Sequence, residues 1–357
     1  MFLWLSIIVP AGHILDRGPN MLRLHRVEPT AAVWADRATY PDRLIFHTPE
    51  WLRFVGECQR AEPLLATVTD SGQVVGHFTG LLTRRFGMRI LGSPMAGWTT
   101  SYMGFTLAPH VSRSAALHAL PHFAFGEAGA AHLEIRDRGL TPGDLDRAGA
   151  GLRWDEAPTA VIDLNPGEDE LFGAMASACR RNIRKAAKSG VVIEDATADP
   201  AFAGEFYDQL RDVFAKQNLV PTYSVERVRS LIRHLAPAGN LLLLRARDGD
   251  GRCIATAVLP WYHRTMYFWG GASYREHQHL RPNEALIWHA MRWARERGVT
   301  EFDFVGGNAY KAKYGTTTVP VPWVRRSRSP IVAHLRDAAK QGFALKQRTV
   351  ARLTGAA

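Results

Sequence analysis

One short design occurs twice, far apart in the chain, and it limits the possible folds more than any other feature. Leu64–Val68, a turn at Asp70-Ser71-Gly72 and Val74–Phe78 read as an apolar strand, a tight turn and a returning strand. Leu241–Leu244, a turn at Asp248-Gly249-Asp250-Gly251 and Cys253–Leu259 repeat that order. A lone hairpin cannot bury its own apolar face, so each needs more strands and a covering layer. Two of them in 357 residues predict two α/β (α+β) domains from a diverged duplication, each a mixed twisted sheet flanked by helices.

Helix signals surround both hairpins. Thr48-Pro49-Glu50 opens a helix with an N-cap, a proline in the first turn and an acid near the positive dipole end. Further helices are expected over 112–131, 200–217, Val225–Leu235 and 283–297. Strands are expected at Leu22–Val27, His132–Arg136, Thr159–Leu164, Thr265–Gly271 and Glu301–Val305, and a second hairpin at Leu81–Leu91. Asn165-Pro166-Gly167 punctuates the middle of the chain. It sets expected domains at 21–165 and 166–330, with 1–20 as an upstream extension and 331–357 as a basic helix or tail. Gly92–Gly104 is rich in small and turn residues, and is expected to be a loop lining a cleft.

The second expected domain opens with a helix over 168–189. Met175, Cys179, Ile183 and Ala186 make one apolar face, and Arg180, Arg181, Arg184, Lys185 and Lys188 lie opposite. Gly190 ends the helix, and Val191-Val192-Ile193 starts a strand. Such a charged face is either solvated or a docking surface for a phosphate, a nucleotide or an RNA backbone.

The whole chain leans the same way. With 44 basic and 34 acidic residues its net charge is +10, which favours anionic partners. Cys58, Cys179 and Cys253 are too scattered for a disulfide framework or a cysteine zinc site, and suit a reducing cytoplasm. Glu276-His277-Gln278-His279 lacks a further ligand at suitable spacing, so no metal is expected. The apolar run Phe2–Ala11 is far shorter than the roughly 20 residues of a membrane span, and lacks the flanks of a signal peptide. The segment with Arg325, Arg326, Arg328, Arg336, Lys340, Lys346, Arg348 and Arg352 could pack back on the first domain, rest on an anionic membrane from the inner side or be a solvated tail.

Two sets of motifs resemble the FemAB-like branch of the GNAT acyltransferase superfamily. One is Arg180-Arg181-Asn182-Ile183-Arg184-Lys185-Ala186 with its Lys-Ser-Gly-Val turn. The other runs from Pro282-Asn283, through Trp293–Gly298 and Phe302-Asp303-Phe304, to Lys311-Ala312-Lys313-Tyr314-Gly315. The resemblance covers roughly residues 40–325. It implies tandem GNAT-like domains, a C-terminal segment that returns to the first domain, and acyl transfer to an amine with acetyl-CoA or another acyl-CoA as donor. The acceptor would belong to the cell envelope or be a small molecule. A FemX-like reaction, with aminoacyl-tRNA as donor and a peptidoglycan precursor as acceptor, is the first alternative. A non-catalytic basic module on the same scaffold is the second.

Acyl transfer needs both substrates held, a proton accepted and an oxyanion stabilised. The resemblance puts Lys311 at the substrate, with Lys313 as its neighbour. Asp303 alternates with two phenylalanines, so it is expected to face water or a cleft, either as a structural aspartate or as the general base. Tyr267 and Trp269 share a strand face, to stack on a substrate or to fill the core, and Gly270-Gly271 permits close backbone approach. Asn283 begins the helix where the superfamily holds a pyrophosphate. Arg281-Pro282-Asn283-Glu284-Ala285 lacks the glycines of that loop, and its proline removes an N–H donor. The departure weakens coenzyme A as the donor. The basic helix would bind phosphates of donor or acceptor.

Overall fold

The computed structural model describes residues 22–85, 87–149, 151–215, 219–336, 338 and 342. The expected extension 1–20 and most of the expected tail beyond 336 lie outside these residues. In chain order the strands are β1 (Arg23–Val27), β2 (Glu62–Asp70), β3 (Gln73–Arg85), β4 (Met88–Ser93), β5 (Gly104–Leu107), β6 (His132–Ile135) and β7 (Arg153–Glu156). Then follow β8 (Thr159–Asp163), β9 (Val192–Asp195), β10 (Leu241–Arg247), β11 (Cys253–Tyr262), β12 (Thr265–Tyr267) and β13 (Gly270–Ser273). The last three are β14 (Glu301–Asp303), β15 (Thr317–Val319) and β16 (Pro322–Ser327).

These strands form two eight-stranded sheets with one shared plan. The first runs β1-β2-β3-β4-β6-β16-β7, with β5 paired to β3. The second runs β9-β10-β11-β12-β14-β8-β15, with β13 paired to β11. The repeated hairpins are β2–β3 and β10–β11, at the same two places in each path. In each sheet one parallel pair, β4–β6 or β12–β14, is joined by a crossover carrying a helix, Arg113–Phe125 or Pro282–Glu296. The fold is therefore a tandem duplication of a mixed α/β unit, as the hairpins predict.

The division at 165 does not match the sheets. The strand β8, expected in the first domain, lies in the second sheet between β14 and β15. The strand β16, expected in the second domain, lies in the first sheet between β6 and β7. Each half thus contains a strand from beyond the expected boundary. Asn165-Pro166-Gly167 does bend the chain, but a turn signal does not say which sheet the preceding strand joins. The C-terminal segment returns to the first half, as the resemblance implies. After β16 the chain is helical over 330–336, and Arg336 Nε donates to Glu134 at 3.0 Å.

Other elements differ locally. The helix expected over 168–189 is two, Glu168–Ala174 and Ser177–Lys188, with Met175 and Ala176 extended between them. Arg180 Nη1 donates to the Gly173 and Met175 carbonyls, which supplies the first helix end with partners. The helix expected over 112–131 stops at Phe125. Ala31–Arg37, capped by the Thr30 hydroxyl, is a helix not anticipated. Among the described residues no helix is long and apolar enough to cross a membrane.

Among the described residues, three apolar clusters hold the molecule together. Phe78, Phe105 and Phe123 pack the first sheet on its crossover helix. Leu242, Leu244, Ile287, Met291 and Phe302 do the same for the second. The third joins the halves: Phe46, Trp51 and Tyr102 meet Phe206, Leu231 and Tyr267. That seam puts aromatic faces from both halves into one core.

Candidate active site

A gap opens in the second sheet where two parallel neighbours part. The ladder between β12 and β14 ends at Tyr267–Asp303, with one more rung from Phe268 N to the Asp303 carbonyl at 2.8 Å. Beyond it the chain crosses to β11, and β13 pairs there from Val258–Gly270 to Ala255–Ser273. On its other side β13 pairs with no strand among the described residues. The result is a cleft of about 280 Å³ between β13, the crossover helix and the turn at 309–314.

The cleft has apolar walls and a polar rim. Phe268, Phe304 and Tyr314 form walls, and Ser273, Asn283 and Lys313 supply polar groups. Asn283 Nδ2 donates to Ser273 Oγ at 3.1 Å. Gly271 is needed for its lack of a side chain: a Cβ there would lie 2.5 Å from the Phe268 ring. Tyr310 lines the mouth and is 54% exposed. Glu284 ties the rim together, accepting from Lys313 Nζ at 2.8 Å and Asn182 Nδ2 at 3.0 Å. Burial opposes the Glu284 charge, but Lys313 and Asn182 outweigh it and hold its pKa below the ordinary value.

Lys311 lies behind this wall. Its Nζ donates to the Phe304 and Gly306 carbonyls, both at 2.9 Å, and sits 5.7 Å from the centre of the Phe304 ring. Burial lowers its pKa, against the pull of Asp303. The ammonium therefore anchors the chain leaving β14 and leaves one of its three hydrogens unassigned.

Asp303 faces neither water nor a cleft, contrary to the alternation argument. It is fully buried where the two halves meet. Its Oδ1 accepts from Thr159 Oγ1 at 2.7 Å, Val305 N at 2.6 Å and Tyr102 Oη at 3.4 Å. Its Oδ2 accepts from Arg138 Nε at 3.3 Å. Full burial at the seam, outside the cleft, keeps an incoming amine from it, so this carboxylate joins the halves and is not placed to act as a base. Period-two alternation puts Asp303 opposite two phenylalanines but cannot show that another domain covers that face.

Tyr267 and Trp269 belong to the same seam. Tyr267 packs on Phe46 with ring centres 4.9 Å apart, and Trp269 Nε1 donates to the Thr99 carbonyl at 3.0 Å. Both fill the core between the halves, and neither lines the cleft. Burial of the Tyr267 hydroxyl raises its pKa, against the smaller pull of the Thr265 side chain. The loop 92–104 is also seam: Thr99 and Tyr102 contact the second half, and none of its residues lines this cleft.

The basic helix splits by function. Arg180 is used for capping, as described above. Arg181, Arg184, Lys185 and Lys188 are exposed and have no carboxylate partner among the described residues. Asn182, on the same helix, reaches the cleft rim through Glu284, so this cationic face adjoins the site. Cys179 is buried, and burial pushes its thiol up to about 11, which removes it as a nucleophile. Of the residues expected at the site, Asn283 lines the cleft and Lys311 backs it. Ser273, Phe268 and Tyr310 carry no sequence signal of their own. They meet only because β12 and β14 part.

Residues 174–314 match the family model of the acetyltransferase (GNAT) domain. Among solved structures, FemX superposes with a TM-score of 0.69 at 16% identity, over 84% of this chain and 96% of that one. L-PGS from Bacillus licheniformis gives 0.51 at 12% identity, over 86% and 96%. A tandem GNAT protein from the clavulanic acid biosynthesis pathway gives 0.51 at 13% identity, over 87% and 99%. At such identities these structures share a fold with this chain. No curated protein matches it in sequence.

Proposed function

We propose that this chain, a FemAB-like acyltransferase of the GNAT superfamily, moves an acyl group from a coenzyme A thioester to a primary amine. The acceptor belongs to a cell-envelope precursor or a small molecule. The observation that carries the reading is the edge of β13, unpaired among the described residues, above an apolar cleft. Amides along an extended donor can bond to such an edge as an added strand does. The reacting carbonyl would then sit near Phe304, shielded from water. The neutral amine nitrogen attacks the carbonyl carbon, the C–S bond breaks, and the thiolate leaves with the proton that the amine gives up. Lys311, behind the Phe304 wall, contributes a positive charge that acts on the developing oxyanion from a distance and holds the chain that bears that wall. Arg181, Arg184, Lys185 and Lys188 attract the donor phosphates.

A second reading has one observation in its favour. The crossover helix begins with Pro282, which has no N–H, and lacks the glycine loop that cradles a pyrophosphate. The four cations, which have no carboxylate partner among the described residues, could instead serve aminoacyl-tRNA. Calorimetry of the full chain with acetyl-CoA separates the two. Micromolar binding, abolished by Gly271→Val, supports coenzyme A. No binding by a folded sample, with binding of charged tRNA that falls steeply as salt rises, would transfer the reading to the aminoacyl donor.

A further inference from the structure

A second cavity, of about 510 Å³, lies against the β7 edge of the first sheet, under the helical turn 330–336. Its walls are unusual in charge. Arg153, Arg325, Arg326, Arg328 and Arg336 line it, with Asp155 as the one carboxylate among the lining residues. Asp155 accepts from Arg325 at 2.6 Å, and Arg336 is held by Glu134 behind the wall. Asp155 and Glu134 are therefore both used. Arg153, Arg326 and Arg328 have no carboxylate among the described residues.

The backbone makes this crowding worse. Arg153 stands directly across from Arg325 in the β7–β16 ladder, and like charges placed so repel. Gly151, at φ +91°, lies under the Arg326 side chain, where a Cβ would approach the guanidinium carbon to 3.4 Å. Three unmatched guanidinium groups around one cavity cost stability unless an anion joins them. Their forks suit phosphate oxygens, and the volume is that of a small-ligand site.

We propose that this cavity binds a phosphate-bearing group through Arg153, Arg326 and Arg328. The group is either a soluble diphosphate ester or the headgroup of an anionic lipid. The site is separate from the cleft of the second half and does not depend on the donor assigned there.

The test uses the full chain, inorganic pyrophosphate in a calorimeter, and sedimentation with phosphatidylglycerol or phosphatidylcholine vesicles. The variant is Arg153→Ser/Arg328→Ser, two exposed positions whose loss leaves the core intact, with thermal melting as the check on folding. Arg326→Ser is the second variant, and Arg181→Ser/Lys185→Ser controls for the other basic face. Pyrophosphate binding that weakens at least tenfold in both cavity variants, but not in the control, supports a soluble ligand. Sedimentation with phosphatidylglycerol only, lost in the cavity variants and without pyrophosphate binding, supports a lipid headgroup. Binding that is absent from both assays, unchanged in the cavity variants or lost only in the control overturns the proposal.

Discussion

Both halves bring a parallel pair of strands to the point where the crossover chain leaves, but they treat the space beyond it differently. In the second half, β13 swings to β11 and the gap stays open. In the first half, β5 likewise pairs with β3, yet Asp137 occupies the corresponding space. Its carboxylate accepts from Phe105 N and Gly139 N, each at 2.8 Å, and from Arg113 at 2.7 Å. Arg113 also pairs with Asp42, which accepts from Leu107 N at 3.0 Å. One duplicated plan thus gives a gap plugged by buried charges and a gap walled by aromatic rings. A buried ion network is stable only while every member has its partners, so the plugged half has little freedom to admit a ligand. Aromatic walls leave room for one.

The strongest test of this contrast is at the joint between the halves. Asp303→Ala should lower stability by about 4 kcal/mol in chemical denaturation, because Arg138, Tyr102 and Thr159 lose a buried acceptor. A stable variant without acyl transfer would instead make Asp303 a reacting group. Asp137→Ala should cost about 3 kcal/mol by opening the plug, while transfer per folded molecule stays unchanged. Loss of one equivalent of bound donor in that variant would mean that the first half also holds a site.

Acid should act on the first half through Glu134. Burial raises its pKa, but His132 and Arg336 outweigh this and hold the carboxyl at about 2 against an ordinary 4.5. A lowered pKa gives stability that is present above the unfolded value and lost as pH falls towards the folded one. Stability should therefore drop by about 2 kcal/mol between about pH 7 and pH 3, and Glu134→Gln should flatten that limb of the pH titration. The smallest effect belongs to the open cleft. Tyr310→Ala removes an exposed side chain at its mouth, so melting should not move. The variant should lower kcat/KM for amine acylation about tenfold, a change of about 1.4 kcal/mol. An equal loss of stability would show that Tyr310 supports the fold instead.

Much of this is legible in the amino-acid sequence. The paired hairpins announced the duplication because an apolar strand, a glycine turn and a return strand form a local unit. Val225–Leu235 was readable to the residue, since its apolar spacing acts within a few turns. The candidate site was far less legible. Lys311 and Asn283 stand in recognisable motifs, yet Ser273, Phe268 and Tyr310 mean nothing until β13 leaves its neighbour. Asp303 misled because alternation orders the two faces of a strand and says nothing of what covers either.

The sequence by itself determined the hairpins, most helices, the basic face at 180–188 and the two-unit plan. Each rests on propensity, periodicity or capping, which operate over a few residues. Tertiary structure alone decided that β8 and β16 exchange sides, that Asp303 joins the halves, and that one gap is plugged while its counterpart is open. Those outcomes depend on pairings between residues more than a hundred positions apart, such as Tyr102 with Asp303 and Val324 with Ile135. No local pattern encodes such a pairing, because its stability appears only when both partners have been brought out of water together.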